Sequence, residues 1–179
     1  MEQGQDRRSQ ENSNFAAKVV KIDQAYLKQH LIYNPETGQV FRKRSGKLIT
    51  SIHSGGHLQI NLNTGVVKLL HRVIWCYMTG KWPSQQIDHI DGNPKNNKWN
   101  NLRLATNTQN SRNSAKPINN TSGYKGVSFV ARLNKYRATI MVDRKSLHLG
   151  CFSAPKDAAQ AYNEAAKKYF GEFALLNNI

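Results

Sequence analysis

The sequence predicts an α+β protein of two small basic units, and three observations carry that prediction. A helical stripe of apolar residues gives way near residue 86 to a short strand, a turn-rich loop, a second short strand and a helix start. The polar stretch 112–121, with Pro117 in it, then breaks the apolar pattern. Beyond it the pattern restarts as three strands and one long helix.

The length of 179 residues suits one domain or two small ones. We divide the chain into a tail at 1–18, a first unit at 19–114 whose centre is 84–114, a linker at 115–121 and a second unit at 122–176. The tail is polar and poor in apolar residues, which predicts disorder. Lys and Arg number 26 against 11 Asp and Glu, a net charge of +15. Such an excess points to a polyanionic partner, with nucleic acid first. Within 19–120 there are 14 basic and 4 acidic residues, and within 121–179 there are 9 and 4, so both units carry the excess. No window approaches the roughly 18 consecutive apolar residues of a membrane span, and the polar N-terminus has no secretory apolar core. Cys76 and Cys151 have no partners at metal-ligand spacing and read as buried, reduced thiols of a cytoplasmic protein.

Asp23 is placed to cap a helix over Gln24–His30. Asn34-Pro35-Glu36-Thr37-Gly38 is a turn signal. From Gln39 to Leu70 the pattern is β, with turns at Gly55-Gly56 and Asn63-Thr64-Gly65. Arg42, Lys43, Arg44 and Lys47 cluster there, either as a solvated loop or as a phosphate-contact patch. Leu70, Val73, Ile74 and Tyr77 form a helical stripe ended by Gly80, and His71 within it reads as a packing or hydrogen-bonding residue. In the second unit the strands are Tyr124–Val130, Lys135–Val142 and Lys145–Phe152, with Asp143-Arg144 as a tight turn. Pro155 then opens an alanine-rich helix that Gly171 ends.

The central stretch Asp88-His89-Ile90-Asp91-Gly92-Asn93 places an acid beside a histidine. Phosphodiester hydrolysis needs an activated water, relief of phosphate charge and stabilisation of the leaving oxygen. A near-neutral histidine takes the water's proton, and a hard cation serves the other two needs. Strand neighbours point to opposite faces, so a twist or bulge must bring Asp88 and His89 to one site. Asn110 lies on the following helix, where its amide oxygen is placed to face Asp88. One carboxylate, one amide and several waters suit Mg²⁺. Asn101 is expected to fix the loop and orient the histidine.

His71-Arg72, Asp88-His89-Ile90-Asp91-Gly92-Asn93, Asn96-Asn97 and Asn101-Leu102-Arg103 together resemble the HNH endonuclease family, in its phage and intron-encoded branch. The resemblance implies a ββα-metal fold with His89 as general base, Asn101 as the middle asparagine, and Asp88 and Asn110 as metal ligands. The final Asn in place of His favours Mg²⁺ or Mn²⁺ over Zn²⁺. Ser122-Gly123-Tyr124-Lys125-Gly126-Val127, Tyr136-Arg137-Ala138, His148-Leu149-Gly150-Cys151-Phe152 and Ala158-Ala159-Gln160-Ala161-Tyr162 resemble an AP2 DNA-binding domain. That resemblance implies a three-stranded antiparallel sheet laid in the major groove with one helix behind it. Lys125, Arg132, Arg137, Arg144, Lys145 and His148 are its candidate DNA contacts, joined in the first unit by Arg42, Lys43 and Arg44. The pairing implies a homing-type or free-standing phage endonuclease that nicks double-stranded DNA as a monomer in the host cytoplasm. The competing readings are a DNA-binding regulator with a non-functional HNH site, and a structural RNA-binding protein. The second unit's strands lack an aromatic stacking platform, which argues against the last of these.

Overall fold

The computed structural model describes residues 20–62, 65–114 and 119–179. The tail expected at 1–18, the Asn63-Thr64 part of one turn and most of the 115–121 linker lie outside the described residues.

The first unit opens with α1, Gln24–His30, whose N-terminus is capped by the Asp23 carboxylate accepting from the Tyr26 amide. It runs straight into β1, Leu31–Tyr33, antiparallel to β2, Val40–Arg42. The turn between them is closed by the Asn34 side chain, which accepts from the amides of Glu36 and Thr37. The β pattern expected over 39–70 resolves into short pieces. β3, Gln59–Asn61, pairs with β4, Val67–Leu69, while Phe41–Leu48 and Ile52–Leu58 meet only as isolated bridges. α2, Leu70–Thr79, ends on Gly80 in the left-handed conformation. Its buried face of Leu70, Val73 and Ile74 packs with Leu27, Leu31, Val40, Ile60, Ile87 and Leu102. Arg72 turns the other way and donates to the carbonyls of Pro83 and Gln85, which fixes the chain as it enters the next strand.

That strand is β5, Gln86–His89. It pairs antiparallel with β6, Leu102–Ala105, and sets Asp88 opposite Arg103. α3, Asn107–Arg112, follows at once behind a reciprocal cap between Thr106 and Gln109.

The second unit is a three-stranded antiparallel sheet of β7, Val127–Val130, β8, Lys135–Val142, and β9, Lys145–Phe152, in that order. The first strand starts at Val127 rather than Tyr124. Ser122 and Asn120 hold the carbonyls of Tyr124 and Val127 in a turn instead. Asp143 and Arg144 both have positive φ, the signature of a tight turn that matches strand twist. Ala138 and Ile140 face α4, Pro155–Phe170, whose Ala158, Ala159 and Ala166 are fully buried. Small side chains let the helix axis lie close to the sheet.

The two units are joined by more than the linker. Arg103 donates to the Glu172 carbonyl at 2.6 Å, and its guanidinium lies 3.9 Å above the Phe173 ring. Lys125 sends its ammonium to the carbonyls of Arg112 and Ser114, at the end of α3. Cys76 is buried and Cys151 half-buried, and both are free thiols. Among the described residues no helix is long and apolar enough to cross a membrane.

Two consequences are measurable. Gly38 has φ +74°, and a Cβ there would sit 2.6 Å from the Asn97 carbonyl carbon. Gly38→Ala should therefore cost more than about 2 kcal/mol in urea unfolding. Burial pushes the Lys125 ammonium down to about 8. The unfolded chain keeps its proton up to about 10.4, so between those values it binds more protons and folding stability rises with pH. Relative to Lys125→Met, the parent should gain stability between pH 7 and 9.5, read as the difference between two urea-melt series.

Candidate active site

His89 ends β5, and the chain returns to β6 through a polar loop. Asn101 closes it. Its side-chain oxygen accepts from the Asp91 amide at 3.0 Å, and its Nδ2 donates to Asp91 Oδ1 at 2.9 Å and to the Asn96 carbonyl at 2.8 Å. Its own carbonyl accepts from the Ile90 amide. Burial raises the Asp91 carboxyl, but the hydrogen bonds from Asn96, Asn93 and Asn101 outweigh it and hold that group below its ordinary value. Asn101 thus ties the two ends of the loop together.

His89 is 5% exposed, and its Nε2 lies 3.1 Å from Asn97 Oδ1. The Asn97 amide nitrogen donates to the Lys95 carbonyl, which sets the carboxamide's orientation. An amide oxygen only accepts, so Nε2 carries the proton and Nδ1 keeps its lone pair. Burial lowers the His89 pKa, opposed by the Asn97 bond and by Asp91 and Asp88. Asn97 is itself held from behind. Tyr33 donates to its carbonyl at 2.8 Å, and Gly38 lets the β1–β2 turn press against the Asn97–Lys98 backbone. The Trp99 amide donates to the Pro35 carbonyl. The first hairpin is thus a buttress for the loop.

Asp88, 3% exposed, takes two partners. Arg103 approaches Oδ2 with Nε and Nη2, each at 2.8 Å, and Asn113 donates to Oδ1 at 2.8 Å. Asn113 also donates to the His89 carbonyl. The expectation that Asn110 faces Asp88 is corrected here: Asn110 donates to the Gln86 side chain, and Asn113, one turn further along α3, reaches the carboxylate. Both asparagines, with Asp88 and His89, line one cavity of about 750 Å³. No bulge interrupts the β5–β6 pairing. Asp88 and His89 share the cavity because the chain leaves the strand at His89. A carboxylate offers about four lone-pair sites, so Asp88 keeps acceptor capacity beside Arg103 and Asn113. With the α3 carboxamides and water, that is a fit for a hard divalent cation.

The same cavity holds His57 and His71. The rings of His57, His71 and His89 lie 4.8 to 5.4 Å apart, centroid to centroid. Burial, with the neighbouring histidines, keeps His57 below its ordinary pKa. His71 is pushed down to about 3 by burial first, then by His89, His57 and Arg72. His71 packs as expected, buried against the rings of His57 and His89, but its buried Nδ1 finds no hydrogen-bond partner among the described residues.

The remaining candidates divide. Arg132, Arg137, Arg144, Lys145 and His148 are exposed, and Arg137 and His148 stand on the sheet face away from α4. Lys43 and Arg44 are exposed, and Arg42 donates to the Asn61 carbonyl. Lys125 is the exception. Its ammonium is turned into the junction, not onto the outer sheet face. Sequence reasoning assigned no role to His57, Asn97, Arg103 or Asn113, although Asn97 and Arg103 stand within the motif that resembles the HNH family. Asn113 was detectable, being three residues from Asn110 on one helix face. His57 carries no local signal.

Removing the loop anchor tests this geometry. Asn101→Ala should cost about 2–3 kcal/mol by orphaning buried groups, and should speed hydrogen exchange at the Ile90 and Asp91 amides before that of the core.

With the geometry in hand, comparison with known proteins is direct. Residues 68–112 match the family model described as HNH endonuclease. An uncharacterized HNH endonuclease, L560, of Acanthamoeba polyphaga mimivirus is 40% identical over 112 residues, 62% of this chain and 57% of that protein. Protein 3.8 of Escherichia phage T7 is 42% identical over 76 residues, 42% of this chain and 63% of that protein. The chain spans less than two thirds of the length of either relative. The HNH homing endonuclease I-HmuI, from a structure describing DNA binding and cleavage, aligns over 73% of this chain and 76% of its own at 23% identity, with a TM-score of 0.39. The segment that matches this family model runs from β4 through α3 and contains Asp88, His89, Asn101 and Asn110.

Proposed function

We propose that the chain is a metal-dependent DNA endonuclease that hydrolyses one phosphodiester per encounter and so nicks duplex DNA. The observation that carries this reading is the pairing of buried Asp88 with a histidine whose Nδ1 lone pair is free, in one polar cavity within the HNH segment. His89 Nδ1 takes the proton of the attacking water. The Nε2 hydrogen bond to Asn97 keeps that tautomer and supports the charge the ring gains. Asn101 positions the histidine by holding the loop. Asp88, with the amide oxygens of Asn113 beside it and of Asn110 on the wall of the same cavity, would hold Mg²⁺ or Mn²⁺. When bound, that cation neutralises phosphate charge and stabilises the leaving oxygen. Arg103 holds the Asp88 carboxylate by a salt bridge at the cavity wall.

The second unit is the targeting module in this reading, an AP2-like sheet. Arg137 and His148 present donors from its outer face. Arg132, Arg144 and Lys145 lie at its turns, where a phosphate backbone would run. Arg42, Lys43 and Arg44 extend the basic surface on the first unit. A monomer with one such site cuts one strand. The viral and phage origin of the relatives supports action in a host cell's cytoplasm.

Supercoiled plasmid incubated with Mg²⁺ should convert to open circle, and EDTA should prevent it. His89→Ala should slow conversion by about 10²- to 10⁴-fold, the range for loss of a general base. Tight duplex binding with no conversion under Mg²⁺ or Mn²⁺ would overturn the reading in favour of a DNA-binding regulator.

A further inference from the structure

The cavity contains a second donor set whose chemistry differs from that of Asp88. His57, from the turn before β3, His71, from the first turn of α2, and His89 each bring one ring nitrogen within 4.8 Å of the others. His71 is 4% exposed, and its Nδ1, like that of His57, is buried without a partner among the described residues. A purely structural cluster would leave these nitrogens desolvated and unsatisfied. Three imidazoles with no carboxylate among them are a poor shell for Mg²⁺, which takes oxygen. They are the donor set that Zn²⁺ accepts in three-histidine sites, with a fourth position left to water. Zn–N bonds of about 2.0–2.1 Å require the three nitrogens to close on one another, by rotation of the half-buried His57. The amide oxygen of Asn97 behind His89 is the kind of outer partner that orients a ligating imidazole.

We propose that His57, His71 and His89 form a binding site for a borderline transition-metal ion, best probed with Zn²⁺, distinct from the oxygen-donor site at Asp88. A consequence, which rests on the nuclease reading above, is a brake. An occupied site engages the His89 nitrogen that would otherwise take the water's proton, so Zn²⁺ suppresses cleavage supported by Mg²⁺.

The test uses the untagged full chain, stripped of metal, with no DNA. Zn²⁺ titrated against a chromophoric chelator should bind at one equivalent, and millimolar Mg²⁺ should not displace it. His57→Ala and His57→Gln should each weaken binding at least about tenfold while thermal unfolding confirms that both fold. Asp88→Asn should bind Zn²⁺ as the parent does. No binding, or binding lost in Asp88→Asn and kept in the His57 variants, overturns the site. The brake is read separately: one equivalent of Zn²⁺ should suppress plasmid nicking by the parent and leave His57→Ala unaffected. Zn²⁺ bound with nicking undiminished overturns the brake alone. A chain that never nicks overturns the nuclease reading, and the brake with it, while the DNA-free titration still decides the site.

Discussion

A buried carboxamide must find partners for both its oxygen and its nitrogen, and two asparagines impose that constraint on the loop between β5 and β6. Asn101 satisfies itself on Asp91 and Asn96, which draws the loop shut. Asn97 satisfies itself on Lys95 and His89, which fixes the histidine ring. Neither can move without stranding a polar atom in a water-poor interior. The rest of the first unit reinforces them. Tyr33 holds the Asn97 carbonyl, and Gly38 allows the first turn to press on its backbone. The hairpin that looks remote in sequence is therefore part of the site.

Electrostatics divides the cavity. On one side Asp88 is paired with Arg103, which is itself pinned by the Glu172 carbonyl and the Phe173 ring. The second unit thereby holds the position of Asp88, the one carboxylate that lines the cavity among the described residues. On the other side burial lowers the pKa of all three histidines, and at His57 and His71 the neighbouring histidines lower it further. Oxygen donors and nitrogen donors thus face one volume, and hard and borderline cations have different places to go. His89 stands between the halves, which makes it the residue through which the two could communicate.

Much of this was legible in the chain because local rules governed it. Asp23 and Pro155 mark helix starts, Gly80 and Gly171 mark stops, and Asp143-Arg144 marks a turn; each sits where its backbone preference requires. Asp88, His89 and Asn101 stood out because their spacing is itself the loop's architecture. What could not be read depended on distance in sequence. His57 meets His89 only because β3, α2 and β5 share a core, and no periodicity encodes that meeting. Lys125 looked like a surface cation because its neighbours are polar, yet the carbonyls left open at the end of α3 draw it inward. Asn110 and Asn113 occupy one helix face, and only the pitch of α3 against β5 decides which touches Asp88.

The central claim is that Asn97 holds His89 as the Nε2-protonated tautomer, with Nδ1 free for chemistry. Long-range proton–nitrogen NMR on labelled, metal-free protein reads it directly. The account predicts a His89 spectrum with Nε2 in the protonated range and Nδ1 in the unprotonated range, and averaging of the two in Asn97→Ala. A His89 protonated at Nδ1, or averaged in the parent, would contradict it.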